Sequence, residues 1–261
     1  MPVERRSDRF YLGVVTPMAN EEDTAVPFVQ QVLENCRTVP RTTVFVVLDR
    51  VSRDGTRGLL EQYARREPRL RVVWAPQNRC VVDAYLSGYR EALSAGCDWI
   101  LEMDAGFSHP PLHIPAFLAC IPEGFDCAFG SRFCASGVYR QSWKRKLVSH
   151  GGTWLSNAML GTRLSDMTSG FELFSREALE LVLEKGIHSR AHFFQTEIRA
   201  YCHGLRIREV PIVYSNPSPR LSNRAIVEAF RQLGRLTLLR MRGQLRLTLK
   251  QPREPRQAVA Q

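Results

Sequence analysis

Short, β-branched apolar runs alternate with segments of helical spacing through the first half of the chain, and this alternation constrains the fold more than any other feature. The runs are Phe10-Tyr11-Leu12-Gly13-Val14-Val15, Thr43-Val44-Phe45-Val46-Val47-Leu48, Leu70-Arg71-Val72-Val73-Trp74 and Trp99-Ile100-Leu101-Glu102. They recur about thirty residues apart, the length of one strand–helix unit. Strands that are almost continuously apolar are buried on both faces, which a parallel sheet covered by helices provides. The expectation is an α/β fold with a doubly wound, mostly parallel sheet flanked by helices. Between the runs, residues 26–36 and 81–95 have helical apolar spacing, the second ending at Gly96, and Asp54 is placed to cap a helix over 54–66.

The second half is less regular. Residues 125–130 read as a fifth strand, 139–161 as a helix over the cleft, 171–174 as a short strand, and 176–183 and 193–203 as helices. Residues 206–214 alternate as an edge strand does, and Pro211 suits an edge.

Length and charge narrow the function classes. A chain of 261 residues can bury one sizeable core. No apolar run approaches the roughly 20 residues of a membrane span, and the polar start at 1–9 has no apolar signal core, so a cytoplasmic location is expected. Seven cysteines are scattered without a Cys-x-x-Cys pair and read as reduced thiols. The net charge of +10 invites a nucleic-acid reading. Yet ten of the 36 Lys and Arg lie from Arg220 onward, against two of the 26 Asp and Glu, so basicity belongs to the tail and no nucleic-acid partner is expected. Neither a dinucleotide glycine fingerprint after the first strand nor a Gly-Lys-Ser/Thr phosphate loop occurs.

Polar clusters fall at or just after the carboxyl ends of successive strands: Asn20-Glu21-Glu22, Asp49 with Ser52 and Asp54, Asp104, and Ser131-Arg132. Ligands of open α/β sheets bind there. Each cluster alone reads equally as a turn or a helix cap. Together they point to a nucleotide site, with Asp and Asn for base and ribose and Arg132 for phosphate.

Taken in order, Pro17-x-x-Asn20-Glu21, Val47-Leu48-Asp49-Arg50-Val51-Ser52-Arg53-Asp54-Gly55-Thr56, Met103-Asp104-Ala105-Gly106-Phe107-Ser108-His109-Pro110-Pro111 and Gly130-Ser131-Arg132 resemble family 2 glycosyltransferases of the GT-A fold. Asp166-Met167-Thr168-Ser169-Gly170-Phe171 and Glu209-Val210-Pro211-Ile212 resemble the branch of polyprenyl- and dolichyl-phosphate mannosyltransferases. The resemblance implies a GT-A catalytic domain over 1–222 and a basic amphipathic helix with a flexible tail over 223–261. It implies inverting transfer of a hexose from a nucleotide diphosphate sugar, GDP-mannose or a UDP-hexose, to a polyprenyl phosphate. Carried over by position, Pro17, Asn20, Glu21, Asp49, Asp54, Asp104, Ala105 and Arg132 bind the nucleotide sugar, with Asp104 and Arg132 in catalytic roles. Lys144, Arg145, Ser149 and Arg220 fall to the acceptor phosphate. Two alternatives stay open. A soluble hydroxyl acceptor would need a base, for which Asp166 and Glu197 are the candidates; a nucleotide-sugar-binding protein without turnover would need none.

The chain departs from the family at the metal. Asp-x-Asp is replaced by Asp104-Ala105-Gly106, with Ser108 two positions on. Mg²⁺ or Mn²⁺ would then rest on Asp104, donor diphosphate and water, or the cations Arg132, Lys144, Arg145 and Lys146 would neutralise the leaving group. Glu102 shares a strand face with Asp104 as a substitute ligand, and His109 and His113 are either ligands or ordinary loop and helix residues. Arg50 stands where a second acid is expected, and the basic cluster at 217–223 is reduced to Arg220. In the tail, Arg231, Arg235, Arg242, Arg246 and Lys250 interleave with Phe230, Leu233, Leu236, Leu238 and Leu245. Such a helix lies either on an anionic membrane surface, which would place the protein peripherally on the cytoplasmic face, or against its own core.

Overall fold

The structure, a computed structural model, describes residues 10–134, 137–139, 143–214 and 222–249, with the backbone alone at 138, 139, 144 and 145. Its first half runs β1 (Leu12–Pro17), α1 (Ala25–Asn35), β2 (Thr42–Leu48), α2 (Thr56–Ala64), β3 (Leu70–Trp74), α3 (Val81–Ser94) and β4 (Trp99–Glu102). A 3₁₀ turn at Pro111–His113 leads into α4 (Ile114–Ala119), β5 (Cys127–Ser131) and β6 (Val138–Tyr139). The remainder is α5 (Trp143–Leu160), β7 (Glu172–Ser175), α6 (Arg176–Lys185), α7 (Phe193–Cys202), β8 (Ile207–Pro211), β9 (Val213–Tyr214) and α8 (Asn223–Met241).

Seven strands form one sheet in the order β3-β2-β1-β4-β7-β5-β8. All neighbours are parallel except β7, which runs antiparallel to both β4 and β5. The mostly parallel doubly wound sheet is therefore present, with β7 as the strand that brings the chain back between two others. Alternation along β1 shows how the strand serves two cores: Leu12 and Val14 pack with α1 residues Phe28 and Val32, while Val15 packs with α3 residues Tyr85 and Tyr89 on the opposite face.

Two differences from the sequence reading have simple causes. The edge segment divides in two, because Pro211 has no N–H to extend the ladder. Ile212 donates its N–H to the Ser131 carbonyl, and β9 then pairs with β6 in a separate small sheet. The C-terminal helix ends at Met241, before Arg246, where Gly243 takes φ +69°. Leu245 and Leu247 beyond it are buried, and Leu247 N–H reaches the Tyr201 carbonyl. All seven cysteines are thiols, and burial pushes Cys36 and Cys97 up to about 12.

Candidate active site

The loops after β1 and β2 are stitched together by the polar residues that the motifs singled out. Asn20 takes a left-handed φ of 56°, which Asn tolerates better than most residues. From there its side-chain amide donates to the Val51 carbonyl and accepts Arg53 N–H. Glu22 N–H donates to Asp54, and the Glu22 carboxylate accepts Gly55 N–H in return. Asp54 also accepts the N–H and hydroxyl of Thr56, which opens α2 with Gly55 at the cap position, and these bonds hold its carboxyl below the usual range. Asp49 accepts Val51 N–H in a tight turn. Asn20, Glu22 and Asp54 thus shape the rim, while Glu21 and Asp49 remain partly exposed at the ends of β1 and β2. Pro17 ends β1 in register with Val47.

Asp104 stands just past the end of β4, 39% exposed. Tyr85, buried on α3, donates its hydroxyl to Asp104 Oδ1 at 2.5 Å. Asp104 N–H points to Nδ1 of the buried His109 at 3.4 Å, and the same nitrogen lies 3.5 Å from Asp104 Oδ2. Burial is the chief cause that holds the His109 pKa below its usual value, so the imidazole is a neutral prop for Asp104, packed between Phe171 and Tyr214. His113 is elsewhere: its Nε2 accepts Val213 N–H and fixes β9.

The missing second Asp has a steric counterpart. Gly106 has φ +67°, and a Cβ there would lie 2.8 Å from Glu21 Oε1. A carboxylate from the β1 loop therefore already occupies the space into which a side chain at 106 would grow. Gly106→Asp is expected to destabilise the protein by roughly 1 kcal/mol or more, from backbone strain and carboxylate repulsion, rather than to complete a metal site. Urea unfolding against wild type measures it.

The loop before β7 closes over Asp104. At Gly170 a Cβ would lie 2.1 Å from Gln195 Nε2, so the Gln195 amide would have to move aside, and 3.5 Å from Asp104 Oδ2, in ordinary contact. This loop is fastened at several points. Arg132 grips Asp166 through Nε at 2.7 Å and Nη2 at 2.9 Å and reaches Thr168 Oγ1 at 2.6 Å. Burial opposes ionisation of Asp166, but the Arg132 guanidinium outweighs it and lowers the carboxyl to about 2. Glu209 on β8 accepts the N–H groups of Ser165 and Asp166, which explains physically why the 166–171 and 209–212 motifs occur together. Arg199, fully buried on α7, bonds Glu172 and the carbonyls of Asp166, Gly130 and Ser169.

Both candidate bases have other work. Asp166 is locked to Arg132, and Glu197 is fully buried, accepting Ser189 N–H, the Tyr201 hydroxyl and Arg235 of α8. Arg132 is 8% exposed and tethers a loop. Ser149 is on α5 and half-buried; the side chains of Lys144 and Arg145, and all of Arg220, lie outside the described residues. Glu102 is fully buried against Glu172, beneath the cleft rather than in it.

The site residues that sequence reasoning passed over are Tyr85, Gln195, Arg199 and Glu172. A signal existed for two of them. Helix α7 is buried along nearly its whole length yet contains Gln195, Thr196, Glu197 and Arg199, and polar groups so placed must serve a buried network. Among the described residues no three His, Cys, Asp or Glu side chains form a complete cation site. Asp104 and Glu21 do offer hard oxygen donors, suited to a Mg²⁺ or Mn²⁺ that is bound largely by a diphosphate.

Acidic groups thus stand at or after the ends of β1, β2 and β4, with the Asp166–Gly170 loop folded over the last of them. The family model for glycosyl transferase family 2 matches residues 13–183, and the chain belongs to that family; it is a glycosyltransferase. It is 32% identical over 206 residues to polyprenol monophosphomannose synthase of Mycolicibacterium smegmatis, covering 77% of this chain and 76% of that protein. It is also 32% identical over 179 residues to undecaprenyl-phosphate mannosyltransferase of Micrococcus luteus, covering 67% and 73%. Among solved structures, glucosyl-3-phosphoglycerate synthase from Mycobacterium tuberculosis with Mn²⁺, UDP-glucose and phosphoglyceric acid superposes with a TM-score of 0.62 at 21% identity, over 90% of this chain and 80% of that one. This likeness establishes the GT-A fold.

Proposed function

We propose that the protein transfers a hexose, with inversion, from a nucleotide diphosphate sugar to a polyprenyl phosphate. Relatives at 32% identity that carry mannose to polyprenyl phosphates support the acceptor class. The observation that carries the reading is that the two candidate bases, Asp166 and Glu197, are both buried and ion-paired. A hydroxyl acceptor needs a group to take its proton, whereas a phosphate monoester is already anionic at neutral pH. The reaction then forms a bond from an acceptor phosphate oxygen to the sugar's anomeric carbon and breaks that carbon's bond to the leaving diphosphate.

In this reading Asn20 and Asp54 hold the rim, Asp49 and Pro17 line the nucleotide end, and Ala105 gives close backbone approach. Asp104, fixed by Tyr85 and His109, and Glu21 would hold Mg²⁺ or Mn²⁺, which when bound supplies charge neutralisation to the departing diphosphate. Arg132 keeps the Asp166–Gly170 loop closed over that position, and Lys144, Arg145, Ser149 and Arg220 are assigned to the acceptor phosphate. Positioning of donor and acceptor is then the main catalytic contribution.

The test is nucleoside diphosphate release from GDP-mannose and several UDP-hexoses, with polyprenyl phosphate or the corresponding polyprenol, in Mg²⁺, in Mn²⁺ and in chelator. Release is expected with the phosphate alone and to fall in chelator. Equal rates with the polyprenol would replace this reading by hydroxyl transfer, and donor binding without turnover would replace it by a sensor.

A further inference from the structure

Resting on the lipid-acceptor reading, we infer that the outward faces of α5 and α8 form the surface by which the protein sits on an anionic bilayer, through inserted apolar side chains rather than through the basic stripe alone. The sequence left the basic tail helix either on an anionic membrane surface or against its own core. In the structure α8 packs on the core through Leu233 and Leu236, and two of its arginines engage the protein as well. Arg235 turns inward to Glu197 and Tyr201, and Arg240 caps the carbonyls of Ala158 and Met159 at the end of α5. The outward face instead carries Val227, Phe230 and Met241, exposed by 68%, 62% and 72%. These positions, three and eleven residues apart, lie on one helix stripe opposite the buried Leu233 and Leu236.

Helix α5 repeats the arrangement. Leu147 and Trp154 share a stripe, and Trp154 is 72% exposed, while Thr153, Ser156 and Leu160 are buried on the other side. Leu160 belongs to the same apolar cluster as Leu233 and Leu236. The two helices pack against each other, with Arg240 of α8 on the carbonyls that end α5, so their exposed apolar stripes belong to neighbouring elements. Large aromatics held in water on adjacent helices cost solvation unless something covers them.

Charge selects the occupant. Arg224, Arg231 and Arg242 on or at the end of α8, and Lys146 on α5, are exposed around the apolar stripe, against Glu228 as the one acid of α8. Indole and phenyl rings with flanking cations match the headgroup layer of an anionic leaflet, where the cations add electrostatic attraction to the apolar insertion. The location suits the chemistry. Two turns into α5, His150 stacks on Phe133 with ring centroids 3.9 Å apart, and Phe133 follows Arg132 in the chain. No helix among the described residues is long and apolar enough to cross a membrane, so the surface would serve a protein that lies on the bilayer.

The test is flotation of the purified full chain with vesicles of phosphatidylcholine alone or with one third phosphatidylglycerol. Wild type is expected to float with the anionic vesicles and the Trp154→Ser/Phe230→Ser variant to lose at least about tenfold in binding, with an unchanged melting temperature. Arg231→Glu is expected to lose several-fold in low salt. Transfer to a short, water-soluble polyprenyl phosphate should be unaffected in both variants, while transfer to a long-chain acceptor in vesicles falls. Failure of wild type to float, or undiminished flotation of the double variant, overturns the inference. A wild-type dimer that the double variant dissolves would assign the face to a second copy of the chain instead. Loss of transfer to the soluble acceptor in wild type would count against the proposed reaction and not against the surface.

Discussion

Asp104→Ala is expected to lower hexosyl transfer by about a thousandfold, the cost of removing a single pre-aimed charge from a reacting centre, with no loss of fold. The side chain is partly exposed and its removal leaves no buried charge behind. Because Gly106 stands where a second acid would be, no neighbour at 106 shares its role. Tyr85→Phe should give a smaller loss, of the order of tenfold, because the carboxylate stays while the 2.5 Å bond that aims it is gone. Steady-state rates against donor and divalent cation concentration check both. Tyr85→Phe should raise the cation concentration needed for half-maximal rate, an effect that simple destabilisation of α3 would not produce.

The largest stability effects are expected from the carboxyl pair beneath the cleft. Glu102 and Glu172 face each other across β4 and β7, both fully buried, with one guanidinium, Arg199, bonded to Glu172 at 2.6 Å. Burial raises Glu172 to about 7 and drives Glu102 well above the carboxyl range, with Glu172 as its second cause, so Glu102 holds the proton. At pH 9, where Glu172 is ionised, Glu172→Gln strips Arg199 of its counter-charge and should cost about 3–5 kcal/mol. Glu102→Gln replaces a neutral acid by a neutral amide and should be close to neutral at pH 6. The pH dependence follows in sign. Raised carboxyl pKa values give stability that is full below about 4.5 and is lost as pH rises through about 7; Asp166, lowered to about 2, gives stability that is full above 3.8 and is lost as pH falls toward 2. Urea unfolding at pH 5, 7 and 9 should show wild type weakening on the alkaline side and Glu102→Gln weakening less. Equal slopes for the two would contradict the assignment of the proton.

Much of the sheet was legible because its strands are buried on both faces, and that forces uninterrupted runs such as Thr43 to Leu48. The strand at 171–174 was legible in position but not in direction: nothing local distinguishes an antiparallel insertion from another parallel strand, and the choice is made by β4 and β5 on either side. At the site, residues on loops after strands could be read from motif order. Tyr85 could not, since it reaches Asp104 from a helix whose apolar spacing hides its polar tip, whereas Gln195 and Arg199 left a trace only in the polar content of α7. Arg132 illustrates the opposite problem. Its place beside a strand end suggested phosphate, and the structure engages it with Asp166, a residue 34 positions away whose partner no spacing rule supplies. In α8 the sequence left two placements open for the same reason: composition counts arginines and leucines, while the direction Arg235 and Arg240 take depends on Glu197 and on the carbonyls ending α5.

Mass spectrometry of the lipid product tests the central claim most directly. The purified chain, GDP-mannose or a UDP-hexose, Mg²⁺ and a polyprenyl phosphate should yield a lipid heavier by one hexose, joined through its phosphate and accompanied by an equal amount of nucleoside diphosphate, and Asp104→Ala should form it about a thousandfold more slowly. A hexose found on any other acceptor while polyprenyl phosphate remains unmodified, or a lipid product undiminished in Asp104→Ala, would contradict the account.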